Sequence, residues 1–148
     1  MDIDVSGVLT SLATLVAAFA LALPVAWHRE RGPRHLGLRT LPLVAVASCG
    51  YALVGVQVAG GDPNALARLI QGLMTGIGFV GGGAILKQTD EVHGTATAAA
   101  IWATGAVGGA VGFDRYDLAL SISGITFFTF LVLTPVEERL KDRGNGDG

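Results

Sequence analysis

The sequence predicts an all-α protein that is embedded in a membrane and crosses it with five helices. The ten Lys and Arg residues and the twelve Asp and Glu residues all lie outside five uncharged blocks. Each block is close to the roughly 20 apolar residues that a helix needs to cross the hydrocarbon core. A soluble helical bundle is the alternative, but its helices would carry a polar face. The blocks are Val5–Trp27, Thr40–Gly61, Leu69–Leu86, Gly94–Phe113 and Leu118–Val136.

The first block is predicted to be a retained helix and not a secretory signal. It contains Ala20-Leu21-Ala22, which looks like a cleavage site. However, a signal peptide begins with basic residues, whereas Asp2 and Asp4 precede this block. We therefore expect the N-terminus of the first helix to lie outside the cell membrane.

The third and fourth blocks are predicted to be glycine-rich helices that pack closely on their neighbours. Each glycine costs a helix in water about 1 kcal/mol relative to alanine, but in a bilayer glycine lets helix backbones touch. Helical spacing puts Gly72, Gly76 and Gly83 on one stripe and Gly78 and Gly82 on another, which predicts that the third helix is central. On the fourth helix, Ala98, Gly105, Gly109 and Gly112 share a face that is expected to dock on the third. The predicted helix-packing glycines are Gly72, Gly76, Gly78, Gly82, Gly83, Gly105 and Gly109.

The connections between the blocks are short, so we predict two regions: a five-helix transmembrane domain at 1–136 and a short cytoplasmic tail at 137–148. Asn64 is the predicted cap at the start of the third helix. Lys87–His93 is expected to be a polar turn, and no segment shows a pattern that favours strand over helix.

The distribution of basic residues predicts the orientation. With the N-terminus outside, eight of the ten Lys and Arg residues fall on the cytoplasmic side, and the two exceptions are Arg68 and Arg115. This is the positive-inside bias, and five crossings then place the C-terminus in the cytoplasm. The longest basic stretch is the loop at 29–39, which topology explains, so nucleic acid is not an expected partner.

Several groups of residues resemble parts of cofactor or metal sites, but none has the context or spacing that such a site needs. Gly76-Ile-Gly78-Phe-Val-Gly81 matches the G-x-G-x-x-G fingerprint, but a dinucleotide site needs it at a strand-to-helix turn. His28, His35 and His93 lack the spacing of metal ligands and are interpreted as solvated loop residues. Three acidic residues on the outer side, Asp62, Asp114 and Asp117, allow weak Mg²⁺ binding, but the preferred interpretation is solvated loop acids. We therefore predict neither a metal site nor a cofactor.

Four residues at the cytoplasmic ends of the first two helices form the candidate functional cluster: Arg29, Glu30, Arg39 and Thr40. One interpretation is that the basic side chains reach the lipid phosphates. The other is that Glu30 pairs with Arg39 or with Lys87 and fixes a polar cluster, although exposed ion pairs contribute little stability.

Three ordered motifs resemble the MgtC/SapB family of membrane proteins. Arg29-Glu30 followed by Leu36-Gly37-Leu38-Arg39-Thr40 is similar to the family's N-terminal signature. The run from Gly76 to Gly83 resembles its central Gly-Ile-Gly-Phe-Leu-Gly-Ala-Gly motif. Gly94 with Thr97-Ala98-Ala99 and Trp102 resembles its Gly-Leu-x-Thr-Ala-Ala-x-x-Trp motif. Two positions depart from the family pattern, because His28 and Leu41 stand where the family has Glu and Asn.

The resemblance implies a multi-pass protein of the bacterial inner membrane, with a regulatory or homeostatic role in Mg²⁺ limitation or stress adaptation. It implies action through partner proteins, such as another membrane protein complex, and we also expect a homo-oligomer in the lipid bilayer. Many family members carry a C-terminal soluble domain, and we expect a short form without it. The alternative is a small secondary transporter or channel for an ion or neutral solute, because Gly81-Gly82-Gly83 could break a helix at mid-depth as in transporters.

Overall fold

The computed structural model describes residues 4–30, 37–88 and 91–144, and five helices dominate this part of the chain. They are α1 (Val5–Glu30), α2 (Gly37–Ala59), α3 (Pro63–Gly83), α4 (Thr95–Gly112) and α5 (Tyr116–Gly144). Four of them, α1, α2, α3 and α5, are long and apolar enough to cross a membrane. The helical membrane class is thereby confirmed, whereas a crossing by α4 stays a prediction.

One short connection is a β-hairpin, which corrects the expectation of a polar turn without strands. β1 (Leu86–Gln88) pairs antiparallel with β2 (Glu91–His93), and Leu86 lies opposite His93. Backbone groups that leave a helix need new partners, and the two paired strands provide them for each other. Gly94 follows with φ 89°, a left-handed conformation that glycine adopts without steric cost, and it opens α4. We call this side of the bundle, where α1 and α3 end and α2 and α4 begin, the hairpin end.

The start of α3 also differs from the prediction. Gly60 and Gly61 turn the chain with φ of 56° and 89°, and Asp62 rather than Asn64 caps the helix. Its carboxylate accepts a hydrogen bond of 2.9 Å from the Asn64 N–H, and Pro63 takes the first helical position, where no donor is needed. At the other end of the chain, α5 continues to Gly144, beyond residue 136.

The central helix is α4, not α3 as the glycine stripes predicted. α4 contacts each of the other four helices. Most of its residues are buried, whereas in α3 one residue, Gly81, is buried. Alanine and glycine make α4 thin, so neighbours can pack around it. Most glycines of α3 lie at the margin of the bundle, where an added Cβ would meet no other atom of the chain, whereas Gly81 contacts Ala98 of α4.

The bundle is packed with small residues inside and covered with large ones outside. Ala18, Ala45, Cys49 and Ala119 are fully buried, while long rows of Val, Leu, Ile and Phe side chains remain exposed on α1 and α5. Water-soluble proteins place such side chains inside. Small residues between helices and large apolar ones outside are what lipid as a solvent favours.

Candidate functional site

A polar contact at the hairpin end joins α1 to α4. The guanidinium of Arg29, in the last turn of α1, donates a hydrogen bond of 2.7 Å to the Thr97 hydroxyl in the first turn of α4. Thr97 is buried and Arg29 is half-buried. Arg29 and Thr97 belong to the first and third sequence motifs, so the fold brings these two motifs together.

Aromatic side chains of α5 complete the surroundings of Arg29. Its guanidinium carbon lies 5.3 Å from the centre of the Phe130 ring, a distance at which a cation is attracted to the ring face. His28 lies between two rings, stacked on Phe130 at 6.4 Å and edge-on to Phe127 at 6.2 Å. The interpretation of His28 as a solvated loop residue is therefore wrong, because it is a half-buried packing residue of α1.

Glu30 holds the start of α2. Its carboxylate oxygen accepts hydrogen bonds from the backbone N–H groups of Gly37 at 2.9 Å and Leu38 at 3.1 Å. The first N–H groups of a helix have no partner within the helix, and a carboxylate there is further favoured by the helix dipole. Sequence reasoning placed Glu30 at the junction of α1 and α2 but did not foresee these backbone hydrogen bonds, and a pairing with Lys87 stays a prediction. Among the described side chains, Glu30 forms no ion pair with Arg39, which is exposed, and the Lys87 side chain lies outside the described atoms.

Gly37 explains how closely the start of α2 can approach the end of α1. A Cβ at this position would collide with the Ala26 carbonyl oxygen and the Glu30 backbone nitrogen. The two helices therefore approach backbone to backbone, and this brings the Glu30 carboxylate to the α2 start. The close approach is a role for the Leu-Gly-Leu-Arg-Thr motif that its letters alone did not reveal.

A cavity of ≈ 10 Å³ lies beside the Arg29–Thr97 contact, bounded also by Gly37, Thr40 and Ile101. A cavity of about this size holds a single water molecule when polar groups line it. Thr40 thus belongs to the site through the cavity, and Arg39 does not. We call Arg29, Glu30, Thr40 and Thr97 the polar corner.

The predicted helix-packing glycines divide into two groups. On α4, a Cβ at Gly105 would collide with Ile77 of α3, and one at Gly109 would lie 3.5 Å from Leu73. Gly78 has Trp102 at an ordinary distance of 3.8 Å. The remaining four have no atom of this chain within 4 Å of an added Cβ, so their predicted packing is not made within the described chain: Gly72, Gly76, Gly82 and Gly83.

Two close contacts of α4 involve glycines that the sequence prediction either omitted from the helix-packing set or expected to face a different helix. Gly108 faces the Ala45 backbone, with no room for a Cβ. Gly112, expected to face α3, instead lies against Cys49 and Ala52 of α2. The fit of α4 against α2 is therefore backbone to backbone, and Cys49 is a packing residue there.

The four open glycines leave space beside α3. A cleft of ≈ 540 Å³ separates the middle of α2 from the middle of α3. We call it the α2–α3 cleft. Its walls are apolar apart from the hydroxyls of Ser48 and Tyr51, and they include Gly72 and Gly76.

Two further acidic residues are engaged at helix ends. Asp62 caps α3, and Asp117 forms an exposed two-pronged ion pair with Arg115, with both N···O distances 3.0 Å. Within the described part of the chain, His, Cys, Asp and Glu residues form no group of three that could hold a metal ion. The G-x-G-x-x-G match lies inside α3 and not at a strand-to-helix turn.

Comparison with known proteins places the chain in a family. The family model described as "MgtC family" matches residues 15–139. Protein SrpB of Synechococcus elongatus is 36% identical over 81% of this chain and 71% of its own length. Protein MgtC of Salmonella typhimurium is 28% identical over 87% of this chain and 54% of its own length. "Putative magnesium transporter YhiD" of Escherichia coli K12 is 29% identical over 87% of this chain and 62% of its own length.

No solved structure matches the chain. It spans about half the length of the MgtC relative and somewhat more of the other two. The family match nevertheless includes α2, α3 and α4 completely and most of α1 and α5. The ordered motifs, the helical membrane fold and the match over 15–139 together show that this chain is a member of the MgtC family.

Proposed function

We propose that the protein has a regulatory or homeostatic role in magnesium limitation or stress adaptation, and that it acts through partner proteins rather than by catalysis. The names of two relatives refer to magnesium transport or to the MgtC family. The polar corner is the candidate contact site, since it joins the ends of α1, α2 and α4 at one surface. The affinity of a partner that binds there would depend on the relative positions of these helices.

The observation that carries this proposal is the placement of the acidic side chains. Those that the structure describes lie at helix ends or turns: Asp4, Glu30, Asp62, Asp114 and Asp117. Glu30 is already occupied by the α2 start. Mg²⁺ requires near-octahedral oxygen ligands and loses its water reluctantly. A route through the membrane that is lined by alanine, glycine and hydroxyl groups would offer Mg²⁺ few oxygen ligands in place of the water it loses.

The cation at the polar corner supports the same proposal. Arg29 puts a positive charge at the hairpin end, held by a hydroxyl and an aromatic ring. A half-buried positive charge repels a divalent cation that approaches from that side. The charge is better suited to an anionic surface, such as a carboxylate of a partner protein.

We further propose that the hairpin end faces the cytoplasm of a bacterial cell and that the protein lies in the inner membrane. Eight of the ten Lys and Arg residues fall on this side when α4 is counted as a fifth crossing. In this arrangement the N-terminus is periplasmic, the tail after α5 is cytoplasmic, and the polar corner is accessible to cytoplasmic partners.

A small transporter or channel is the second candidate. The α2–α3 cleft favours it, since it is an open space at the middle of two candidate spans. Its apolar walls suit an apolar solute and not an ion. The name of the Escherichia coli relative, by contrast, refers to magnesium.

Purified protein in liposomes distinguishes the two candidates. With a Mg²⁺-sensitive dye inside the vesicles, we expect no flux above that of empty vesicles. Saturable, protein-dependent Mg²⁺ entry would contradict the regulatory proposal. In cells, Arg29→Ala and Glu30→Ala should abolish a growth phenotype in low Mg²⁺, whereas Arg39→Ala should preserve it because Arg39 is outside the polar corner. Loss of the phenotype in Arg39→Ala as well would contradict the assignment of the function to the polar corner.

A further inference from the structure

The α2–α3 cleft is closed at one end by a direct contact between its two helices. A Cβ at Gly55 would collide with the Leu69 side chain, so α2 and α3 touch there, close to the turn at Gly60 and Gly61. From this contact towards the hairpin end the helices leave a space of ≈ 540 Å³, which Ile101 of α4 also lines. Three helices therefore bound the cleft, and its volume lies within the range of small-molecule sites in proteins.

A buried hydroxyl opens into this cleft without a hydrogen-bond partner. Ser48 is 2% exposed and lines the cleft, and its hydroxyl forms no hydrogen bond within the described chain. Every fully enclosed side-chain nitrogen and oxygen in that part of the chain does have a partner, so the Ser48 oxygen must reach the cleft space. By contrast, the buried Thr104 hydroxyl donates to the Ala100 carbonyl of its own helix at 2.7 Å. A hydroxyl without a hydrogen bond is disfavoured in apolar surroundings, so we expect the occupant of the cleft to supply one.

Tyr51 adds a second hydroxyl to the same wall of the cleft. It follows Ser48 by three residues, which places both side chains on one face of α2, and both line the cleft. The Tyr51 side chain is exposed, and its hydroxyl has no partner among the described residues. The other described lining residues are apolar or glycine, and none carries a charge. Small-molecule sites have this composition, with apolar walls and a few polar groups that orient the ligand.

The depth of Ser48 excludes the polar part of an ordinary phospholipid as its partner. Ser48 is the twelfth of the 23 residues of α2, so it lies at the middle of a candidate span. The polar groups of phospholipids begin about 15 Å from the middle of the hydrocarbon core. An acyl chain fills the cleft but offers Ser48 no hydrogen bond. A charged molecule is disfavoured too, because no described side chain of the cleft would compensate its charge.

We propose that the α2–α3 cleft binds a neutral, lipid-soluble molecule that carries a carbonyl oxygen. The Ser48 hydroxyl donates to this oxygen, and the Tyr51 hydroxyl is a second donor one turn away. A carbonyl oxygen has two lone pairs and brings no donor that would itself need a partner. Gly72 and Gly76 leave room for the apolar body of the molecule, since a Cβ at either position meets no other atom within 4 Å. Binding requires one occupant held in place and no path across the membrane, and it does not rest on the proposed function.

Photolabelling of the full chain in phospholipid nanodiscs tests this site. The probe is 4-octylbenzophenone, a neutral ketone that attaches to nearby C–H groups on irradiation, and the comparison probe is an alkyl diazirine of similar length without a carbonyl. We expect the ketone to label α2 and α3 around Ser48 in a saturable manner, with the labelled residues located by mass spectrometry. The diazirine should label the same region more weakly and without saturation. Equal labelling by both probes, without saturation, would show that the cleft holds acyl chains only and would overturn the proposal.

Substitutions of the two hydroxyl groups test the hydrogen bonds. Ser48→Ala should weaken ketone binding about threefold to tenfold, and Tyr51→Phe should weaken it in the same direction, while diazirine labelling stays unchanged. Ser121→Ala is the matched control, because the Ser121 hydroxyl donates to the Asp117 carbonyl of its own helix, on α5. Thermal unfolding in detergent verifies that each variant is folded. Wild-type affinity for the ketone in both Ser48→Ala and Tyr51→Phe would contradict the proposed recognition.

A larger side chain in the cleft tests the space. Gly76→Leu should remove the saturable labelling, because the added side chain occupies the volume beside α3. Gly124→Leu is the control, since Gly124 also has open space beside it but lies on α5. Saturable labelling that persists in folded Gly76→Leu would place the ketone outside the cleft and overturn the proposal.

Discussion

Arg29 and Thr97 stand 68 positions apart in the chain, and their side chains meet in a hydrogen bond of 2.7 Å. The contact fixes the end of α1 against the start of α4. Because its donor is charged and one partner is buried, it is of the stronger class of protein hydrogen bonds. Substitutions at this contact therefore measure how much the polar corner contributes to the free energy of unfolding.

Replacement of Thr97 by Val should destabilise the protein. The two side chains have nearly the same shape, so the loss is that of the hydroxyl, and about 1–2 kcal/mol of unfolding free energy is expected. Unfolding in detergent by denaturant measures it. Thr14→Val is the control, since the Thr14 hydroxyl bonds only to a carbonyl of its own helix. A double-mutant cycle with Arg29→Met should show coupling of about 0.5 kcal/mol or more, and strict additivity would contradict the contact.

Glu30 should act mainly as a hydrogen-bond acceptor at the start of α2. Loss of such a cap costs about 0.5–2 kcal/mol, and we expect Glu30→Ala to fall in this range. Glu30→Gln retains an acceptor oxygen and should cost less than half as much. Thermal unfolding of the three proteins in one detergent provides the comparison. If Gln and Ala were equally harmful, the negative charge and not the hydrogen bonds would be the stabilising feature.

Gly108 should tolerate no side chain. A Cβ there would meet the Ala45 backbone, and separation of α2 from α4 costs about 1–3 kcal/mol or more. Gly108→Ala should therefore lower the melting temperature and the folded yield. The matched substitution is Gly124→Ala, which adds the same methyl group at a helical glycine with open space. It should be neutral or slightly stabilising, and equal losses at both sites would contradict the packing of α4 on α2.

Reporter fusions should place Gly61 outside and Lys87 and Arg143 inside the cell. The fusion at Arg143 is decisive for α4. If α4 did not cross the membrane, the chain would cross four times, and Arg143 would be on the same side as Gly61. A periplasmic reporter that is active after Arg143 would thus reduce the number of crossings to four.

The start of α1 should weaken in acid. Asp4 accepts hydrogen bonds from the Ser6 hydroxyl at 2.6 Å and the Ser6 N–H at 3.1 Å. The Ser6 hydroxyl bond, followed by backbone N–H bonds, lowers the pKa of Asp4 below its usual 3.8. A lowered pKa in the folded state means that the stabilisation is complete above the unfolded value and is lost as the pH falls through the folded one. The protection of the first-turn amides of α1 against hydrogen exchange, relative to the intrinsic exchange rate at the same pH, should fall below about pH 4, and Asp4→Asn should remove most of that pH dependence.

Composition and charge placement were sufficient to predict the helical membrane class, because they depend on solvent preference along the chain. Composition and charge placement predicted the ends of the helices less accurately. The uncharged block starting at Leu69 missed the first six residues of α3, since Arg68 interrupts the apolar run while Pro63 and Asp62 start the helix. The polar corner was predicted in part, because Arg29 and Glu30 belong to one short motif, whereas Thr97 reaches them only through the fold.

The order of the helices in the bundle was not predictable from glycine spacing. Angular spacing shows which glycines share a face, but it does not show which neighbour that face meets. Gly105 and Gly109 pack against α3 as expected, while Gly76, with an equally regular spacing, faces open space. The central position of α4 depends on how its side chains fit those of the neighbouring helices. This fit is a property of pairs of helices, and the sequence of one segment does not show it.

The enclosure of α4 has a consequence for how the protein is made. α4 is the helix that is not among the four apolar enough to cross by composition, and its small side chains lie against its own chain and not against lipid. Such a segment gains little by entering the bilayer alone. We expect its insertion to depend on helices synthesised before it, above all on α2, whose Ala45 and Cys49 receive Gly108 and Gly112. Substitutions on α2 would then act during biosynthesis, as failed insertion of a segment that is translated some fifty residues later, before any folded protein exists to be destabilised.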